Sequence, residues 1–278
     1  MPVVTIARQL GSLGDEIGEA LAARLGFRYL DHHLLPSYVR DFGEVEPNAP
    51  EIAETRPSFW ERLNEERRRH AIMVRSGVYR FARDNDAVIV GLGANVLLGG
   101  LSHVLRVLTV AAITPRVERV MQKGTVGNPT PLAREEAIEI VRRSDRERSG
   151  YIRYMHNTDW NDVHGYDLVL NTSNLAIEQG VAWTAAALER AEVTPTAGSL
   201  QAIEDLALAG RVEAILISNS GLWVHGLKAT AERGVVTISG EVITDEDREY
   251  AEEAARAVDG VRLIVNELRI QPPPLTGM

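Results

Sequence analysis

The chain alternates between short apolar runs and longer stretches whose apolar residues recur at helical spacing. Runs rich in β-branched residues fall at about 2–7, 27–30, 87–91, 104–112 and 167–171, among them VIVG (88–91), LRVLTVAA (105–112) and YDLVLN (166–171). Runs of this kind predict strands covered on both faces, as in a parallel sheet. Helices are predicted between them at about 15–26, 58–85, 115–123, 131–155 and 174–190; in the first, Ile17, Leu21 and Leu25 form one stripe. Thr130-Pro131 followed by Glu135-Glu136 reads as the start of the fourth, with a hydroxyl N-cap, proline at N1 and early acids. Residues 43–57, acidic and proline-bearing, read as a loop ahead of the long helix. Five strands alternating with helices predict an α/β fold, a doubly wound five-stranded parallel sheet with helices on both faces.

The rhythm changes after EVTPTAGS (192–199), which reads as a linker between domains at 1–192 and 199–271. A helix at about 199–217, strands at about 223–231 and 235–242, a helix at about 245–258 and a strand at 261–270 predict a small α+β module of order α-β-β-α-β. In its second strand Val235, Thr237 and Ser239 alternate with apolar positions, so one face is buried and one is not. The tail QPPPLTGM is expected to fray.

Charge narrows the partners. The net charge is −9, with 13 acidic against 7 basic residues in 195–278, which argues against nucleic acid and against anionic membrane surfaces. No apolar run approaches the roughly 20 residues a bilayer crossing needs. There is no basic-then-apolar leader and no cysteine, so a cytoplasmic setting is expected and thiolate chemistry is excluded. Among 30 basic residues, Lys123 and Lys228 are the only lysines, so any phosphate must be held by arginines or main-chain amides.

The candidate chemistry starts in VVTIARQLGSLGDEIGEALAARLGFRYLD (3–31). A strand, a glycine turn, a helix N-terminus and a second strand ending at Asp31 form the opening of a P-loop phosphate-binding fold, since first-turn amides point at a bound phosphate. Yet Gly11-Ser12-Leu13-Gly14-Asp15-Glu16 stands where that motif has its lysine and hydroxyl.

The stretches TIARQLGSLGDEIGEALAARLGFRYLD (5–31), VIVGLGANVLL (88–98), LRVLTVAAITPRVERV (105–120) and SDRERSGYIRYMHNTDWNDVHGYDLVLNT (144–172) resemble the cytidylate kinase-like family of P-loop nucleoside monophosphate kinases. GVVTISGEV (234–242) and AVDGVRLIVNEL (257–268) resemble a BON domain, a module associated with phospholipid, polysaccharide or small-ligand binding and with protein association. The resemblance implies that Arg8, Gly11, Ser12 and Gly14 cradle ATP phosphates, with Gln9 opening the turn. It implies substrate-binding roles for Asp31, Gly91, Gly93 and Asp145, and a lid in which Asp145 and Arg148 form the D-x-x-R pattern. Asn171-Thr172 matches the end of the last strand. The implied reaction is transfer of the ATP γ-phosphate to CMP or a related acceptor with Mg²⁺, Asp31 placing the acceptor and Arg146 and Arg148 stabilising the moving charge.

Three departures from the family pattern bear on that reaction. Leu13 stands for a glycine, where a side chain would crowd the phosphates or forbid a positive φ. Asp15 stands for an arginine and places an anion at the helix N-terminus, and Leu92 stands for the arginine between Gly91 and Gly93. Losing two charge-assisted hydrogen bonds of roughly 1.5–3 kcal/mol each would weaken phosphate binding by roughly two to four orders of magnitude. These departures favour the alternative, a catalytically inactive nucleotide-sensing or scaffold protein acting through its BON-like domain. An oligomer is compatible with either.

Other groups have competing readings. Arg8 reaches phosphate, or pairs with Asp15 or Asp31; Asp31 binds substrate, or caps the next helix. Arg142 and Arg146 share a helical face and, with Arg143, Arg148 and Arg153, clamp the transferring group or pair with Glu139, Asp145 and Glu147 on a solvated helix. Arg67, Arg68 and Arg69 read chiefly as a solvated face, and Arg75 and Arg80 carry less still. His32-His33, as neighbours pointing apart, and His156, Asp159 and His164 around Trp160, do not form a metal site. Leu222, Trp223, Val224 and Leu227 read as core before partner surface.

Overall fold

The computed structural model describes residues 2–39, 65–123, 131–190, 193–219, 222 and 224–271. The expected loop at 43–57, Thr130, Trp223, the tail after Gln271 and the side chain of Arg67 lie outside the described residues. The order is β1 (Val3–Arg8), α1 (Gly14–Leu25), β2 (Arg28–Leu30), α2 (Leu35–Val39), α3 (Glu65–Asp84), β3 (Ala87–Val90), α4 (Ala94–Leu97), β4 (Val104–Val110), α5 (Ile113–Lys123), α6 (Arg134–His156), β5 (Leu168–Asn171) and α7 (Ile177–Leu188). Then follow α8 (Ala197–Ser218), β6 (His225–Glu232), β7 (Val235–Val242), α9 (Asp245–Arg256) and β8 (Leu263–Ile270). No described helix is long and apolar enough to cross a membrane.

The chain packs as two compact units. The first carries a parallel sheet of order β2-β3-β1-β4-β5, so the chain runs to one side of β1 and then to the other. Every residue of β1 and of β3 is buried, the consequence of apolar runs without alternation. Ile17 and Leu21 of α1 join Val4, Ile6, Val88, Val90, Val107 and Val181 in the core. At Gly18 a Cβ would come within 2.6 Å of Val90 Cγ2, so α1 lies on the sheet at a distance only glycine permits. One helix start differs from expectation: α6 begins at Arg134 behind Ala133, with no side-chain cap, although Glu135 and Glu136 do occupy its first turn.

The second unit is the expected α-β-β-α-β module with one addition. β6 pairs antiparallel with β7, β7 pairs parallel with β8, and α9 makes the crossover behind a Thr244–Asp247 capping box. Leu222, Val224 and Leu227 are all buried, in keeping with the core reading. The addition is the run of α2 and α3, which lies between β2 and β3 in sequence but whose residues 36–39 and 65–83 pack with this unit. Ser76 donates to Gly210 O at 2.6 Å, and a Cβ on Gly210 would sit 3.2 Å from Ser76 Cα. Glu213, 2% exposed, pairs with Arg75 and accepts the Ala229 N–H at 2.7 Å, tying α3, α8 and β6 together. Arg80 lies over the Tyr38 ring at 5.0 Å, so Arg75 and Arg80 both serve packing within this unit.

Two outcomes follow from this packing. Gly210→Leu should overpack the α3–α8 contact and lower stability by about 2 kcal/mol in a denaturant titration. His103, fully buried, has neither ring nitrogen hydrogen-bonded among the described residues, and burial holds its pKa below the ordinary 6.5. Below that pH the unfolded chain takes up a proton that the native state refuses, so stability falls on acidification. His103→Leu should flatten that slope; an unchanged pH dependence of unfolding would refute the assignment.

Candidate functional site

The glycine loop is shaped by what holds its carbonyls. Ser12 N–H donates to Gln9 O at 3.1 Å, closing a turn whose third residue, Gly11, has φ 76, a value suited to glycine. Arg116 Nε donates to Leu10 O (2.7 Å), Arg119 Nη1 to Gly11 O (3.0 Å) and Thr172 Oγ1 to Ser12 O (2.8 Å). Three successive carbonyls are thus committed to α5 and the end of β5. Because each trans peptide sets its N–H opposite its C=O, the N–H groups of Gly11 and Leu13 are turned the other way. They face away from the arginines, next to the first turn of α1, which has no side-chain cap. The Ser12 hydroxyl, fully buried, bridges Gln9 O and Thr109 Oγ1 at 2.8 Å each, and Gln9 Oε1 accepts the Ala111 N–H at 3.1 Å.

Leu13 does not behave as expected. It takes a left-handed conformation (φ 62), and its side chain packs against the core cluster that contains Ile17 and Leu21. Leu92 does the same (φ 61) between Gly91 (φ 74) and Gly93 (φ 67), with its side chain buried. Each costs roughly 1–2 kcal/mol of backbone strain. Arg8, 3% exposed, is paired with Asp15, its Nε 2.8 Å from Oδ1. Of the readings open for Arg8, the structure realises the Asp15 pair. Glu16 pairs with Lys123.

A cleft opens beside this loop, lined by Ala7, Arg8, Gly91, Gly93, Asn95, Arg148, Tyr151, Ile152, Trp160 and Tyr166. Arg148 Nη1 donates to Arg8 O at 2.6 Å, which joins α6 to the end of β1. His156 packs against Gly93, where a Cβ would meet its Nε2 at 2.6 Å. Tyr166 donates to Trp160 O at 2.7 Å; burial pushes its pKa up to about 12, with the Asn95 hydrogen bond acting against that shift.

The structure gathers Arg8, Gly91, Gly93 and Arg148 at the cleft, and Gly11, Ser12 and Gly14 at the loop. It places the others elsewhere. Asp145 takes two hydrogen bonds from the buried Arg116, at 2.6 and 3.0 Å. Asp31 Oδ1 accepts the N–H groups of His33 and Leu34 at 2.9 and 3.0 Å, the geometry of a cap. Arg142, Arg143, Arg146 and Arg153 are exposed on α6. The His32 and His33 rings do not point apart; their centroids lie 3.8 Å from each other. No set of three His, Cys, Asp or Glu residues converges for a metal ion among the described residues. Sequence reasoning missed Arg116 and Arg119, although their i, i+3 spacing in TPRVERV puts both on one helical face, and it missed Asn95 and Tyr151 altogether.

A model of the Cytidylate kinase-like family matches residues 3–174. The chain belongs to that family. A BON domain model matches residues 204–272. No curated protein matches the chain in sequence. Among solved structures, an uncharacterized protein from Eubacterium ventriosum ATCC 27560 superposes with TM-score 0.54 at 16% identity, over 68% of this chain and 100% of that one, which shows a shared fold. Shikimate kinase from Bacteroides thetaiotaomicron gives 0.40 at 15% identity, over 68% and 99%. Deoxyadenosine kinase from M. mycoides with bound dATP gives 0.36 at 10%, over 68% and 100%.

The Arg116–Asp145 pair separates a structural from a substrate role for the D-x-x-R aspartate. Asp145→Ala strands a buried guanidinium, so urea denaturation should show a loss of about 2–3 kcal/mol. A variant as stable as the wild type would return Asp145 to the substrate.

Proposed function

We propose that the N-terminal unit binds nucleotide phosphates on the main-chain amides of Gly11, Leu13 and the first turn of α1, and transfers the γ-phosphate of ATP to CMP or a related nucleoside monophosphate in the adjoining cleft. One observation carries this reading: the carbonyls of Leu10, Gly11 and Ser12 are all tied back, which leaves a preformed row of donors beside a cleft bearing Arg148. The fit to a phosphate is a main-chain fit. ATP with Mg²⁺ supplies the transferable phosphoryl group and part of its charge neutralisation. Arg148 is the cation placed at the cleft to supply more, while Asp31 and Arg146 are assigned lesser parts, the one by its capping contacts and the other by its exposure.

A second reading is favoured by the Arg8–Asp15 pair, which puts a carboxylate of the chain itself on the arginine nearest the loop. On that reading the fold responds to a nucleotide without turnover, and its BON domain carries the output to a protein or small-ligand partner.

Calorimetry with ATP, ADP and CMP, run beside a coupled phosphotransfer assay, distinguishes the two. Turnover establishes the kinase, binding without turnover the sensor, and silence in both removes both. The variant D15N, which removes the carboxylate opposing Arg8 and keeps the side chain's size, should bind ADP about tenfold more tightly; no gain would mean that the phosphates are held elsewhere.

A further inference from the structure

The cleft is lined by residues of two chemical kinds. Arg8, Arg148 and the Gly91–Gly93 turn are cationic or present backbone. Ile152, Trp160 and Tyr166 pack with Ala7 and Leu108 in one apolar cluster against which Tyr151 also rests. None of the side chains lining the cleft is acidic. One of the apolar lining residues has an indole N–H with nothing to donate to: Trp160 is 4% exposed, and its Nε1 is buried without a hydrogen-bond partner among the described residues. The neighbouring polar groups are already engaged, since the Tyr166 hydroxyl donates to Trp160 O and interacts with the Asn95 side chain. A buried donor left unpaired is costly, and native structures keep few of them.

We infer that Trp160 is a specificity residue of the acceptor cleft, its indole N–H donating to a ring nitrogen or carbonyl oxygen of a nucleobase that lies among Tyr151, Ile152 and Tyr166. This rests on the reading of the cleft as the acceptor site. A neutral donor among aromatic and aliphatic surfaces suits a planar uncharged ring, whereas the phosphate of the same ligand belongs at Arg148. A base with a matching acceptor satisfies the stranded N–H, and one lacking it leaves the N–H unpaired, so the group discriminates between bases.

The test uses the full chain labelled with ¹⁵N, titrated with CMP, UMP, AMP, GMP and inorganic phosphate while the Trp160 indole resonance is followed. At least one nucleotide should move that resonance at saturation, and inorganic phosphate should leave it in place. Trp160→Phe, which keeps an aromatic ring but lacks the donor, should weaken that nucleotide about tenfold and leave inorganic phosphate within about twofold. A nucleotide that binds while the resonance stays fixed overturns the inference and spares the acceptor reading. Wild-type protein that binds no nucleotide overturns both. Should the phenylalanine variant not fold by far-UV circular dichroism, the wild-type titration decides alone.

Discussion

Arg116 and Arg119 reach from α5 to the carbonyls of Leu10 and Gly11, and Thr172 reaches from the end of β5 to that of Ser12. On those three bonds the rest of the site depends. A glycine loop with its carbonyls unanchored samples many conformations, and one whose amides converge is a small fraction of them. Here hydrogen bonds from two guanidinium groups, each of roughly 1.5–3 kcal/mol, outweigh the roughly 1–2 kcal/mol of strain at Leu13. The loop therefore holds its amides ready through contacts on the face opposite any ligand. Asp145 matters for the same reason: by neutralising Arg116, it makes that guanidinium affordable in a buried setting.

The sheet was legible because its strands are uniformly apolar and its helices periodic, and both signals report burial directly. What escaped the sequence were choices between partners. The apolar residues of α3 predict burial, and Ile72, Val74, Val78, Phe81 and Ala82 do lie inside, but an apolar surface is silent on what covers it. The cover, α8, is set by Gly210 against Ser76, 134 residues away. Of the two carboxylates open to Arg8, Asp15 is the one it pairs with. Thr130-Pro131 carried a helix-start signal, yet α6 begins at Arg134 behind an uncapped Ala133, a case of packing overriding local preference. Leu13 misled for another reason. Conformational preference speaks against leucine at positive φ, but packing of its side chain on the core and the anchored backbone around it hold the left-handed state.

Leu13, Leu92 and Asp15 form a compensated set. Leu13 and Leu92 keep the backbone angles that glycine and its neighbours prescribe, and Asp15 brings its own counter-ion in Arg8. Main-chain geometry is thus retained while side-chain charge is exchanged. Binding and transfer depend on these two properties unequally. Main-chain donors and a helix N-terminus suffice to attract an anion, but phosphoryl transfer further requires cations placed on charge that spreads as the bond breaks. Of the two arginines lining the cleft, Arg8 is opposed by the Asp15 carboxylate and Arg148 donates to Arg8 O. On the proposed reading, the rate of transfer is therefore the property most exposed to these substitutions, and recognition the one best protected.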